Sequence, residues 1–149
     1  MTSLGYDDAP FAVRDDLVAA HHRVWDRLGK PGTWLDATTR IHIAAEVRQA
    51  PECQLCRRRK ESLSPYSLDG RHDSLGTLRE NGVEVIHRIA TDPARLTHSW
   101  YRRMLETGIS DAEYVETVSV LAQITALDTF ARGIGVPKRP LPQPTSGSP

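Results

Sequence analysis

The chain has 149 residues, 39% hydrophobic and 26% charged, enough for one domain with a core of its own. Nineteen basic residues balance nineteen acidic ones, so there is no global electrostatic reason for a nucleic-acid partner. No apolar run approaches the ~20 residues that span a bilayer, and the opening MTSLGYDDAP has neither the basic start nor the apolar stretch of a secretory signal. The expectation is a cytoplasmic protein without a membrane partner, in a compartment where two cysteines do not serve as a permanent staple.

In chain order, residues 11–28 place Val13, Leu17, Val18, Val24, Trp25 and Leu28 on one helical face, opened near Pro10 and closed at Gly29. Residues 36–50 read as a second helix capped by Asp36, with Ile41, Ala44, Ala45 and Val47 on its apolar side. Pro51 interrupts it, so a new helical segment is expected over 53–62. Residues 63–81 are rich in Ser, Gly, Asp and Pro and read as loop, with a turn of helix near Leu75–Arg79. In 82–91, Val83, Ile86, His87 and Ala90 repeat with helical period, and Asp92-Pro93 ends the segment. A helix over 94–107 stops at Gly108. The strongest signal is 110–135, where Ser110 and Glu113 form a capping box ahead of a broad apolar face from Val115 to Phe130. The fold class is all-α, a single domain of about six helices over 10–137. Residues 138–149 read as an extended, mobile Pro/Ser-rich tail or a linker onward, since 137–149 holds five prolines and almost nothing apolar.

The chemistry concentrates in APECQLCRRRKE (50–61), which holds both cysteines of the chain. Zinc asks for two further Cys or His ligands, usually as a second close pair, and His72, His87 and His98 do not supply one. A disulfide across four residues closes too small a loop to restrain the unfolded chain much. Two idle core cysteines are the plain alternative. A redox dithiol fits better: a helix start and nearby cations both stabilise a thiolate, and Arg57, Arg58, Arg59 and Lys60 follow at once. Lys60, one turn after Cys56, is the basic residue best placed to face it, while Arg57 and Arg58 read as a solvated face. On the preceding helix, Glu46 and, four residues earlier, His42 recur on the side that looks toward the thiols. Glu46 is a candidate proton shuttle and His42 a candidate partner for it.

RIHIAAEVRQAPECQLC (40–56) and ISDAEYVETVSVLAQITALDTFARGIGVP (109–137) resemble, in this order, two helices of the carboxymuconolactone decarboxylase and alkylhydroperoxidase D superfamily. The resemblance implies an all-helical thiol-dependent peroxidase or disulfide oxidoreductase. Cys56 would attack a small peroxide, Cys53 would resolve the sulfenic acid, and an external thiol or dithiol would reduce the disulfide. It also implies a homo-oligomer (dimer, trimer or hexamer); from the residues themselves, no metal and no cofactor is expected. Three positions depart from the family pattern: Lys60 stands where a relay histidine follows the second cysteine, Leu55 lies between the thiols, and Ile41 occupies the usual glutamate position. The alternative is a non-catalytic oligomeric protein of the same fold with a degenerate relay.

His72 and Tyr66 lie in the loop and are candidates to fold over the thiols, whereas His87 and His98 read as ordinary helix histidines. Trp100 and Tyr101 beside Arg102 and Arg103 read as a core or subunit contact rather than a base-stacking platform. No glycine-rich phosphate loop is present, so no nucleotide cofactor is expected.

Overall fold

Three of the helices begin at side chains that satisfy their free amides. Asp36 Oδ1 accepts from Thr39 N–H at 2.7 Å, the Thr97 hydroxyl accepts from Trp100 N–H at 3.2 Å, and Ser110 and Glu113 form a reciprocal capping box. The computed structural model describes residues 4–149, and among these there are six α-helices and no strand. They are α1 (Asp15–Leu28), α2 (Ala37–Gln49), α3 (Gln54–Glu61), α4 (Glu80–Thr91), α5 (His98–Glu106) and α6 (Asp111–Gly133). Short 3₁₀ turns sit at Ala50–Glu52, Pro65–Ser67 and Pro93–Arg95, each with a proline in its first turn. The expected all-α domain is therefore what folds, with α1 starting five residues after Pro10 and no helical turn near Leu75–Arg79. Gly108, at φ +99°, takes the left-handed position that ends α5.

The core is built where α2 and α4 pack on the long α6. Leu28, Ile43, Ala44, Ile86, Val120, Ile124 and Leu127 are buried there, each large aliphatic side chain contributing about 1.5–3 kcal/mol by leaving water. Trp100 is buried with Val85 and Ile109 in a second, smaller cluster, against which the half-buried Tyr101 packs. Polar groups enter the α2–α6 seam as pairs. Arg40 Nη1 meets Glu116 Oε1 at 2.6 Å, and Arg48 grips both Asp128 oxygens at 2.8 and 2.9 Å.

Residues 4–6 and the segment after Pro137 pack on this bundle, outside the expected 10–137 domain. Leu4 and Tyr6 are buried. The tail is extended but lies along α1 and α2: Trp25 Nε1 donates to Pro140 O at 2.9 Å, Arg48 Nη2 to Arg139 O at 2.8 Å, and Thr145 N–H to Gly29 O at 2.8 Å. Prolines carry no amide to satisfy, so such a segment can cover apolar surface with few backbone bonds. Among the described residues, no helix is long and apolar enough to cross a membrane.

Candidate functional site

Pro51 breaks α2, and the Ala50–Glu52 turn delivers Cys53 as the residue that caps α3. Cys56 lies in the first turn of α3, so both sulfurs sit at the start of one helix. Neither cysteine is in a disulfide, and both are buried. The loop between α3 and α4 docks here through Asp73. Its carboxylate accepts from Gln54 N–H at 2.8 Å at the start of α3, its carbonyl accepts from Gln49 Nε2 at 3.1 Å, and its own N–H points at Cys53 Sγ at 3.4 Å. Gly70 passes so close to Leu55 that an added Cβ would stand 3.1 Å from Leu55 Cδ1. These contacts set His72 over the thiols, with Nδ1 3.5 Å from Cys53 Sγ and 3.5 Å from Cys56 Sγ.

The second imidazole comes from α4. His87 is fully buried, with Nδ1 3.4 Å from Cys56 Sγ and Nε2 2.6 Å from Glu46 Oε1. Glu46, also fully buried, accepts Leu75 N–H on its other oxygen at 3.1 Å. One turn before His87, Glu84 bonds His72 Nε2 and is held by Arg59 Nη1 at 2.9 Å. Each histidine thus gives its Nε2 to a carboxylate and turns its Nδ1 to sulfur. A carboxylate partner on Nε2 puts the ring proton there and leaves Nδ1 facing the thiols.

The electrostatics follow from these contacts. Burial pushes the Cys53 thiol up, but the amide groups of Cys56 and Asp73 and the His72 ring outweigh it, so its pKa falls below that of an ordinary thiol. Burial disfavours the charged form of His72, yet its bonds to Cys56, Glu84 and Cys53 raise it to about 10. Glu84 is lowered to about 2 because His72 and Arg59 overcome its desolvation. His87 goes the other way: burial lowers its pKa, with the Glu46 bond opposing. One imidazole is therefore a standing cation beside the sulfurs and the other a neutral base.

Cys56 opens on a cleft of about 270 Å³ lined by Ala50, Pro51, Arg57, Lys60, Ala90 and Thr91. A second cleft, about 640 Å³, reaches His72 and Glu84 from the far side without touching sulfur.

Of the expected site residues, Cys53, Cys56 and Glu46 come together, Glu46 reaching sulfur through His87. His42 does not join them, because four residues of helix carry it about 6 Å back along the α2 axis, away from the thiols. Lys60 lines the Cys56 cleft but is exposed and makes no hydrogen bond or ion pair through its ammonium among the described residues. Arg59 is the basic residue that acts inward, through Glu84. His72 does fold over the thiols. Tyr66 does not: its ring lies under Arg88 at 4.6 Å and its hydroxyl donates to Arg95 O at 2.6 Å. His87 is the residue the sequence reading missed. Its signal was present in the 83/86/87/90 repeat, which put an imidazole on the apolar face of α4.

Compared with protein-family models, with curated sequences and with solved structures, the chain gives no significant match.

Proposed function

We propose that this chain is a dithiol oxidoreductase that reduces a small peroxide at Cys56, in the manner of the alkylhydroperoxidase-like proteins its motifs resemble. The observation that carries the reading is the buried relay Cys56–His87–Glu46 with Cys53 beside it. The relay histidine that is missing after Cys56 in the sequence has a counterpart on α4. Cys56 passes its proton to His87 Nδ1, and Glu46 holds the imidazolium that results. The thiolate attacks a peroxide oxygen: the S–O bond forms, the O–O bond breaks, and the departing alkoxide takes the proton from His87. Cys53 then attacks the Cys56 sulfur, forming S–S and breaking S–O, and hydroxide leaves as water with the proton that Cys53 and His72 share. Two thiols are oxidised and one peroxide is reduced to an alcohol and water. An external thiol or dithiol returns the pair to its reduced form, and a homo-oligomer is part of the same reading.

Stopped-flow measurement of peroxide consumption by the reduced, chelator-treated protein tests it. The wild type is expected to outpace free cysteine, and Cys56→Ser to lose that advantage. A wild type no faster than free cysteine sinks the reading and leaves a non-catalytic helical protein.

A further inference from the structure

We propose that Cys53, Cys56, His72 and His87 form one tetrahedral site for a divalent cation of the zinc class, and that the bound metal masks the dithiol. No two of the four donor atoms are more than 4.8 Å apart. Zinc bonds of about 2.3 Å to sulfur and about 2.0–2.1 Å to nitrogen, at tetrahedral angles, place sulfur and nitrogen about 3.6 Å apart. The three sulfur–nitrogen contacts here measure 3.4, 3.5 and 3.5 Å. Three of the six edges thus already have the length of a zinc tetrahedron, and the other three are no longer than 4.8 Å.

The surroundings point the same way. Both rings present Nδ1 inward and bind a carboxylate through Nε2, His72 to Glu84 and His87 to Glu46. Such outer carboxylates fix the tautomer and raise the basicity of a ligating imidazole. Binding displaces the inward proton of His72 and the protons of both thiols, and the two thiolates and two neutral imidazoles that result form a soft, mixed set that suits zinc over magnesium or calcium. Two thiolates also cancel the charge of a divalent ion, which lowers the cost of holding it in a buried place. Four protein donors leave no open position, so the metal closes the site rather than activating water. The inference does not rest on peroxidase chemistry, since the donors are the same whether or not the thiols turn over. Where both hold, metal and peroxide compete for the same sulfurs.

The full chain, reduced and stripped of metal by a chelator, is titrated anaerobically with Co²⁺ and then Zn²⁺. The expected result is one Co²⁺ per chain, with thiolate-to-metal charge-transfer bands and the intense visible bands of a tetrahedral ion, all lost as Zn²⁺ displaces it. X-ray absorption on the zinc form should show two sulfurs at about 2.3 Å and two nitrogens at about 2.0–2.1 Å. Zn²⁺ should also slow alkylation of both thiols at least about tenfold, and a chelator should restore it. Cys53→Ser, His72→Ala and the outer variant Glu84→Gln should each weaken binding by about tenfold or more, while His98→Ala, on the exposed start of α5, leaves it unchanged. A pale octahedral cobalt spectrum without charge transfer, or a zinc shell of oxygen and nitrogen alone, overturns the site. Both readouts need only the wild type, so a misfolded variant does not blunt them. Metal-free protein that consumes peroxide but binds no cobalt overturns the metal site and leaves the peroxidase reading standing. Protein that holds zinc by two sulfurs and two nitrogens but is inert to peroxide when metal-free supports the site and removes the other reading.

Discussion

His87 and Glu46 show how much one residue's surroundings decide. Both are fully buried and bonded to each other at 2.6 Å, so neither can lose its partner without leaving an unpaired polar group out of reach of water. In the proposed cycle His87 takes the proton of Cys56, and His87→Ala should slow peroxide consumption by about 10²–10⁴-fold. Glu46 does not touch sulfur and acts by positioning. Glu46→Gln should therefore shift the acid limb of the pH–rate profile as well as its height, a change that simple loosening of the fold would not produce. Lys60→Met should leave the rate within about threefold, because its exposed ammonium is screened by water. A larger loss would return Lys60 to the role its place in the sequence suggested. Glu46 was legible from its position on the side of α2 that faces Cys53. His42 satisfied the same periodicity and failed because angular position on a helix says nothing about distance along it.

At the scale of elements, the α2–α6 seam is held by charge pairs set into an apolar interface. Glu116 shares its carboxylate between Arg40 at 2.6 Å and the amides of Trp34 and Leu35 at 2.8 and 3.3 Å, which ties the α1–α2 turn to α6. Gly32 makes room for it: a Cβ there would lie 1.5 Å from Glu116 Oε1. Gly32→Ala should break this network and cost about 3–5 kcal/mol, the usual penalty for stranding one member of a buried pair, read as a lower urea midpoint with an unchanged slope. The seam matters for the site because α2 carries Glu46 and ends at the turn that presents Cys53. Helix existence and most caps were legible here, since Asp36, Ser110 and Gly108 act within a few residues of themselves. The pairings Arg40–Glu116 and Arg48–Asp128 were not, because each joins residues some eighty positions apart.

Over the whole molecule, the segments around Tyr6 and Arg139 close the bundle. Arg139 bonds both oxygens of Asp8 at 2.9 Å, and the Trp25 indole N–H is satisfied by Pro140 O. Truncation after Pro137 should therefore destabilise the domain by about 2–4 kcal/mol, because the Trp25 indole loses its acceptor, Arg48 keeps Asp128 but loses Arg139 O, and apolar surface on α1 is uncovered. An unchanged Tm in the truncated protein would restore the reading of 138–149 as a free tail. His21 reports on the same closure. It bonds the Tyr6 hydroxyl at 2.8 Å, and burial lowers its pKa from the ordinary imidazole value. The fold thus prefers His21 neutral, so its contribution is complete above the unfolded pKa of about 6.5 and is lost as pH falls through the folded value. Between about pH 8 and about pH 5, the loss of Tm should be smaller in His21→Gln than in the wild type. An equal loss would remove His21 from this role.

The sequence by itself determined the all-helical class, the order of the helices, most of their ends and the place of the cysteine pair at a helix start. These are local properties, set by residue period, caps, breakers and the spacing of two cysteines. Only the tertiary structure decided what surrounds that pair. His72 arrives on a loop that Asp73 pins to α3, and His87 and its glutamate arrive on two different helices. No spacing rule relates residues 46, 53, 56, 72 and 87, because packing of α2, α3 and α4 against one another is what brings them within bonding distance.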